Sequence, residues 1–298
     1  MTGSAMEALP AIPVGQKVAA LVRLTKPRII ELLLVTTLPA MMLAARGWPG
    51  TSLVVATLIG GTLSAGGANA LNNYVDRDVD MLMRRTSKRP LPTHTLTPAV
   101  ALVVGIGLGV AGFVVLWATS NLLAAMISTG ALLFYVFVYT LVLKRRTVQN
   151  IVIGGAAGAA PALVGWAAVT GSLSAGAWVL FAIVFMWTPP HFWALALKYK
   201  EDYERAGIPM LPAERGEAAT LQAIVRYTVG MVLISFVLVI DDAIGVIYVV
   251  LAAVLGAWFL SEVSRLRTDP GRAMIVFARS NLYLTLLFGA AALDAVVS

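Results

Sequence analysis

Asn72, Asp76 and Asp80 stand at i, i+4 and i+8, the spacing that places three side chains on one face of a helix. They close an apolar stretch that begins near Thr51 and is long enough to cross a bilayer. Carboxylates gathered at a membrane surface resist desolvation and repel one another unless a cation neutralises them. Oxygen ligands shared with substrate phosphates are what Mg²⁺ prefers. The spacing therefore predicts a metal and diphosphate site at the mouth of a helical membrane protein. Asp78, in the same run, points off that face and reads as part of a solvated, charge-mixed surface. Asn72 lies a turn deeper than the carboxylates, where a merely solubilising residue has no use.

A second acidic segment, Lys198-Tyr199-Lys200-Glu201-Asp202, follows another apolar stretch. Continued as a helix, it puts His191, Lys198 and Asp202 on one face, with His191 roughly 16 Å below Asp202. At that depth a histidine either hydrogen-bonds a neighbouring helix or contacts a ligand. Pro189 and Pro190 predict a kink just before it. A third group comprises Tyr139, Lys144, Arg145 and Arg146, and a fourth is the run Arg84-Arg85-Thr86-Ser87-Lys88-Arg89. Their basic residues either set topology or hold a diphosphate, lysine as a point charge and arginine through paired hydrogen bonds.

The elements that must position these groups follow from composition. The chain is 59% hydrophobic and 12% charged, with mean hydropathy +0.85, far from a soluble domain. Recurrent apolar runs predict an all-α polytopic membrane protein with nine transmembrane helices around a central cavity. The expected spans are 29–45, 51–75, 97–118, 121–143, 150–170, 177–197, 219–240, 243–263 and 274–296. One domain over 1–298 is expected, with a tail at 1–28 and functional loops near 76–96 and 198–218. The tail lacks the apolar core of a cleaved signal.

Under this layout every basic residue except Arg46 falls in the tail, in the loops after spans 2, 4, 6 and 8 or, for Arg226 and Arg279, in the first turns of the span that follows such a loop. The positive-inside rule then puts the N-terminus in the cytoplasm and the C-terminus outside. That distribution accounts for the net charge of +7 without nucleic acid. With no cysteine and two histidines, His94 and His191, thiolate and multi-histidine metal centres are excluded. Asp76 and Asp202 stand four spans apart, which suggests two similar halves whose polar loops face one cavity. Small residues crowd the second and fifth spans, either for close helix packing or to make room for a bulky ligand.

The asparagine-aspartate motif, the second acidic loop and the nine-span layout together resemble the UbiA superfamily of intramembrane aromatic prenyltransferases. The resembling segments are Leu24–Arg28, Asn72–Asp80, Arg85–Pro92, Tyr139–Arg145, Thr188–Trp193 and Asp202–Pro212. Within the superfamily the details are similar to the branch that farnesylates haem. The resemblance implies that Asn72, Asp76 and Asp80 bind Mg²⁺ bridging farnesyl diphosphate, with Asp202 contributing from the opposite loop. Tyr139, Lys144 and Arg145 would contact the diphosphate, and Arg85, Lys88 and Arg89 would close over it. Lys26, Arg28, Tyr199 and Lys200 join them as substrate contacts. Asp76, Asp202 and Lys198 form the implied catalytic set, haem B is the implied acceptor, and His191 is a candidate ligand of its iron.

Two positions depart from the family pattern. Lys198 occupies the first place of a second Asp-x-x-x-Asp, where a protonated lysine cannot ligate Mg²⁺ and would instead neutralise a diphosphate oxygen or a haem propionate. His94 stands where glycine is expected. The resemblance also implies a bacterial cytoplasmic (inner) membrane location with the site opening to the cytoplasm. Implied partners are the lipid bilayer and haem-A-synthesis or terminal oxidase assembly proteins. Two rival readings are a UbiA-type enzyme acting on a quinone precursor or another tetrapyrrole, and an ion-coupled transporter.

Overall fold

The computed structural model describes residues 13–297, the side chains of 28–34 excepted, so Arg28 lies outside the described side chains. Among the described residues all regular structure is helical. A short helix α1 (Val14–Leu24) precedes α2 (Pro27–Ala45), α3 (Thr51–Leu82), α4 (Pro98–Thr119) and α5 (Leu122–Leu133). A π-helical segment, Phe134–Leu143, continues α5 directly. Then come α6 (Asn150–Thr170), α7 (Ala175–Lys198), the short α8 (Lys200–Arg205), α9 (Leu211–Val237), α10 (Val246–Thr268) and α11 (Ala273–Val297). Eight spans among the described residues, namely α3, α4, α5 with its π segment, α6, α7, α9, α10 and α11, are long and apolar enough to cross a membrane. In α2 the described apolar part is Val35–Ala45.

Helix α3 runs to Leu82, past the end of the expected membrane span at 75, and so carries Asn72, Asp76 and Asp80 on one helix as their spacing predicts. Its 32 residues rise about 48 Å against a hydrocarbon core of about 30 Å, so its last turns carry Asp76 and Asp80 on a rigid rod. Two other features of this layout differ from the sequence expectation. The helix expected to join His191 to Asp202 breaks at Tyr199 (φ −107°, ψ 25°), and Asp202 belongs to α8. His191, Lys198 and Asp202 therefore do not share a face. The tail contains α1, whose Ala20 and Leu24 are buried while Val14, Val18 and Val22 are exposed. Helix α7 stays helical through Pro189 and Pro190, as neighbouring helices in a bilayer allow.

His94 has φ +56°. That left-handed conformation is the one glycine adopts most readily, which is the physical content of the missing glycine.

Helices α3 and α4 approach closely through glycines. A Cβ at Gly67 would lie 2.7 Å from the Gly105 carbonyl oxygen and 2.8 Å from the Gly109 nitrogen. One at Gly112 would lie 2.7 Å from the Ser64 nitrogen. Backbones this close need small residues. Helices α9, α10 and α11 pack beyond α7 and supply most of the main apolar cluster, including Tyr248, Phe259, Tyr283 and Phe288. Gly67→Ala is expected to destabilise the fold by about 1–3 kcal/mol, read as a lower melting temperature in detergent. Gly107→Ala, where a Cβ meets nothing within 4 Å, is expected to leave it unchanged.

Candidate active site

Helices α3, α5 with its π segment, α6 and α7 surround an open cavity with about 1840 Å³ of empty space, the open solvent at its mouth included. Five charged residues line it: Lys26, Asp80, Arg85, Arg89 and Lys144. All belong to one end, because they bond the last turns of α3 or follow them in the chain. The Lys26 ammonium donates to Asn72 Oδ1 at 2.7 Å, and Asn72 Nδ2 donates to Asp76 Oδ2 at 2.7 Å and Thr140 Oγ1 at 3.2 Å. Lys144 pairs with Asp76 Oδ2. Arg89 donates to both oxygens of Asp80, at 2.9 and 2.7 Å. Asp76 is 0% exposed and Asp80 2%, so each carboxylate is held by a cation from a different chain segment. Lys26 is pushed well below the usual lysine range by burial, then by the neighbouring Arg89 and Lys144 charges. An anion bound here would relieve that crowding.

The π segment shapes this end. Its i→i+5 bonding is the pattern common at functional sites, and the Lys144 N–H donates to the Tyr139 carbonyl at 2.8 Å. Tyr135 and Tyr139 stack at 5.3 Å between ring centres and both line the cavity. The Tyr139 ring lies against Gly154 of α6, where any side chain would collide with it.

The two polar loops do meet. Asp202, 4% exposed, accepts from the Arg85 backbone N–H at 3.1 Å and pairs with Arg205 at 3.4 Å. The Arg85 guanidinium reaches the Tyr203 hydroxyl at 3.5 Å. Asp202 itself is not on the cavity wall. Arg145 makes a two-pronged bond with Asp78 at 2.8 and 2.7 Å, leaving Asp76 Oδ1 3.9 Å away; it grips the outer face of α3.

The structure does not bring Lys88, Lys198, Lys200 or His191 to the cavity. Lys88 is exposed and lines a separate polar groove with Gln16 and Arg23 of α1. Lys198 is exposed over the Tyr199 ring, and Lys200 pairs with Glu204 at 3.6 Å. Tyr199 packs under the Arg85 guanidinium, 5.7 Å from its ring centre. The His191 ring is stacked between Trp187 and Phe277, 4.2 Å from each, and its Nδ1 is 2.7 Å from Ser280 Oγ on α11. The helix-to-helix hydrogen bond, one of its two readings, is made through Nδ1. Tyr135, Thr140 and Tyr203 were missed by sequence reasoning. Tyr135 had a signal, one helical turn before Tyr139; the other two had none.

Among the described residues no three His, Cys, Asp or Glu side chains converge. The oxygen set is Asn72, Asp76 and Asp80, and Asp76 Oδ1 is buried with no hydrogen-bond partner. These donors fit a hard divalent cation that completes its shell with diphosphate oxygens. Lys26, Arg85, Arg89 and Lys144 outnumber the two carboxylates and leave positive charge for such an anion.

The UbiA prenyltransferase family profile matches residues 33–287. The chain belongs to this family. It is 53% identical over 280 residues, 92% of this chain and 86% of the relative, to "Protoheme IX farnesyltransferase 2" of Saccharopolyspora erythraea. Its fold is similar to a solved digeranylgeranylglyceryl phosphate synthase (TM-score 0.77, 18% identity, 95% of this chain and 100% of that one). It is also similar to a UbiA homologue from Archaeoglobus fulgidus bound to DMAPP and Mg²⁺ (TM-score 0.65, 16% identity, 91% and 99%). The chain is thus a multi-pass membrane prenyltransferase, and the transporter reading falls.

Lys144→Met is expected to destabilise the protein by about 3–5 kcal/mol, because it strands a buried carboxylate. Adding Asp76→Asn is expected to recover most of the melting temperature. A single Lys144→Met variant as stable as wild type would show that Asp76 does not depend on the pair.

Proposed function

We propose that the chain transfers the farnesyl group of farnesyl diphosphate to a vinyl group of haem B, with addition of water, giving haem O and diphosphate. The observation that carries this is the 53% identity, over most of both chains, to a protoheme IX farnesyltransferase. It is supported by a cavity whose one charged end offers oxygen ligands and excess cations while the remainder is uncharged. Asn72, Asp76 and Asp80 would hold Mg²⁺, which supplies charge neutralisation for the departing diphosphate. Lys26, Lys144, Arg85 and Arg89 bind the diphosphate oxygens as preorganised donors, stabilising negative charge as the C–O bond breaks. Tyr135 and Tyr139 wall the allylic carbon away from water. Asp202 positions Arg85 by holding its backbone N–H. The acceptor's vinyl π-bond then forms the new C–C bond, and capture of the resulting cation by water needs no strong base.

The same reading makes α2 the ninth span and the whole of 1–298 one domain. The end bearing Lys26, Lys144, Arg85 and Arg89 faces the cytoplasm by the positive-inside rule, which puts the C-terminus outside a bacterial inner membrane. Haem-A-synthesis or terminal oxidase assembly proteins are the partners such a product calls for.

In membranes given haem B and farnesyl diphosphate, Asp76→Ala is expected to abolish haem O formation. Asp202→Ala is expected to raise KM for farnesyl diphosphate more than it lowers kcat. Chelation by EDTA is expected to stop turnover and Mg²⁺ to restore it. Near-normal product from Asp76→Ala, or turnover indifferent to EDTA, would sink the site assignment.

A further inference from the structure

Helix α1 ends against a polar stretch of α3. The Leu24 carbonyl accepts from Asn73 Nδ2 at 3.1 Å, and the carbonyl of Thr25, next in the chain, accepts from Asn69 Nδ2 at 3.0 Å. Asn73 is tied in turn to the Asn69 carbonyl at 2.8 Å. Both asparagines are buried, as is Leu24. Carbonyls at a helix C-terminus find no partner within the helix. Pro27, two residues beyond Thr25, has no N–H to offer them. A carboxamide in an apolar span is costly unless it is partnered, and these two are partnered by the main chain that leads into Lys26.

A second observation is the backbone of Lys26 itself. It is left-handed, with φ +53° and ψ 64°, and it precedes a proline, which ordinarily drives a residue to extended backbone. A lysine has no local reason to adopt that conformation, so its surroundings must impose it. The two asparagines grip the carbonyls immediately before it, and the Lys26 N–H donates to the Arg23 carbonyl at 3.2 Å. From there the ammonium reaches Asn72 Oδ1 at 2.7 Å and stands on the cavity wall. Asn69, Asn72 and Asn73, from little more than one turn of α3, thus hold Lys26 at both ends. An ammonium carries three donors, and Asn72 takes one of them. Lys144 and Arg89 are drawn into place by the carboxylates they pair with. Lys26 is placed by neutral carboxamides, which leaves donors for an oxygen anion in the cavity.

We propose that Asn69 and Asn73 are positioning residues for the diphosphate. By holding the Leu24 and Thr25 carbonyls they fix the left-handed turn that aims the Lys26 ammonium into the cavity. This rests on the charged end of the cavity taking farnesyl diphosphate, as proposed above. The test is a double-mutant cycle on purified full-length protein in detergent. Asn69→Leu and Asn73→Leu are each made in the wild-type and in the Lys26→Met background. Farnesyl diphosphate affinity with Mg²⁺ is read by calorimetry, below the melting temperature of every variant. In the wild-type background each leucine change is expected to weaken binding about tenfold. Lys26→Met alone is expected to weaken it by a similar factor, and adding either leucine change then to cost less than about twofold. A role confined to packing α1 on α3 would cost the same factor in both backgrounds, and that result overturns the proposal. Wild-type affinity in either leucine variant overturns it for that residue. If a leucine variant does not fold, Asn69→Ser or Asn73→Ser, too short to reach the carbonyl, takes its place in the cycle. A Lys26→Met variant that binds as wild type would overturn the diphosphate assignment of Lys26 and this role with it, whereas an additive cycle overturns the role alone.

Discussion

Two carboxylates on one helix face, Asp76 and Asp80, have almost no contact with solvent. Removing a carboxylate from water costs several kcal/mol even after relaxation, and the rest of the cavity's charged end can be understood as the answer to that cost. Lys144 arrives from the end of the π segment, Arg89 from the α3–α4 loop, and Lys26 from the α1–α2 junction through Asn72. Three separate stretches, two of them distant in sequence, are thereby pinned to the last turns of α3. The glycines that let α4 lie against α3 keep that rod in place. A bundle held only by apolar packing would have no reason to fix these segments in one register.

A buried carboxylate does not by itself make a site, and the molecule contains its own control. Glu262 on α10, 2% exposed, pairs with Arg265 at 2.8 Å, Arg272 at 3.0 Å and Arg279. Its charge is more than matched, as at Asp76, yet it lines neither the cavity nor the polar groove described above, and no second carboxylate or asparagine of α10 shares its face. It ties α10 to α11 and stops there. What distinguishes the α3 cluster is the combination of a spare oxygen lone pair on Asp76, a run of donors along one face, and an opening beside them.

Much of this was legible in the sequence. Apolar runs located the helices because a bilayer admits few other solutions, and the i, i+4, i+8 spacing placed Asn72, Asp76 and Asp80 together because helix periodicity is rigid. What was not legible depends on side chains choosing among partners. Arg145 and Lys144 are adjacent in sequence, yet one turns outward to Asp78 and the other inward to Asp76. Lys88 and Arg89 split in the same way. A change of one residue rotates a side chain by most of a quarter turn or more, so adjacent basic residues cannot all serve one anion. The π segment was equally invisible, since its wider turn leaves no mark on composition.

The small residues of the second and fifth spans illustrate how structure separates two readings that composition merges. In sequence, Gly60 and Gly61 are equivalent neighbours. In space, a Cβ at Gly60 would lie 2.6 Å from the Leu116 side chain, and one at Gly61 would lie in open cavity. The same pairing recurs on α6, where Gly155 packs against Thr188 and Gly158 faces space. Close packing and room for a ligand therefore coexist on successive positions of single helices. The first use holds the rod that carries the carboxylates. The second keeps the chamber beneath them open, so helix cohesion and cavity width can change independently by substitution at adjacent residues.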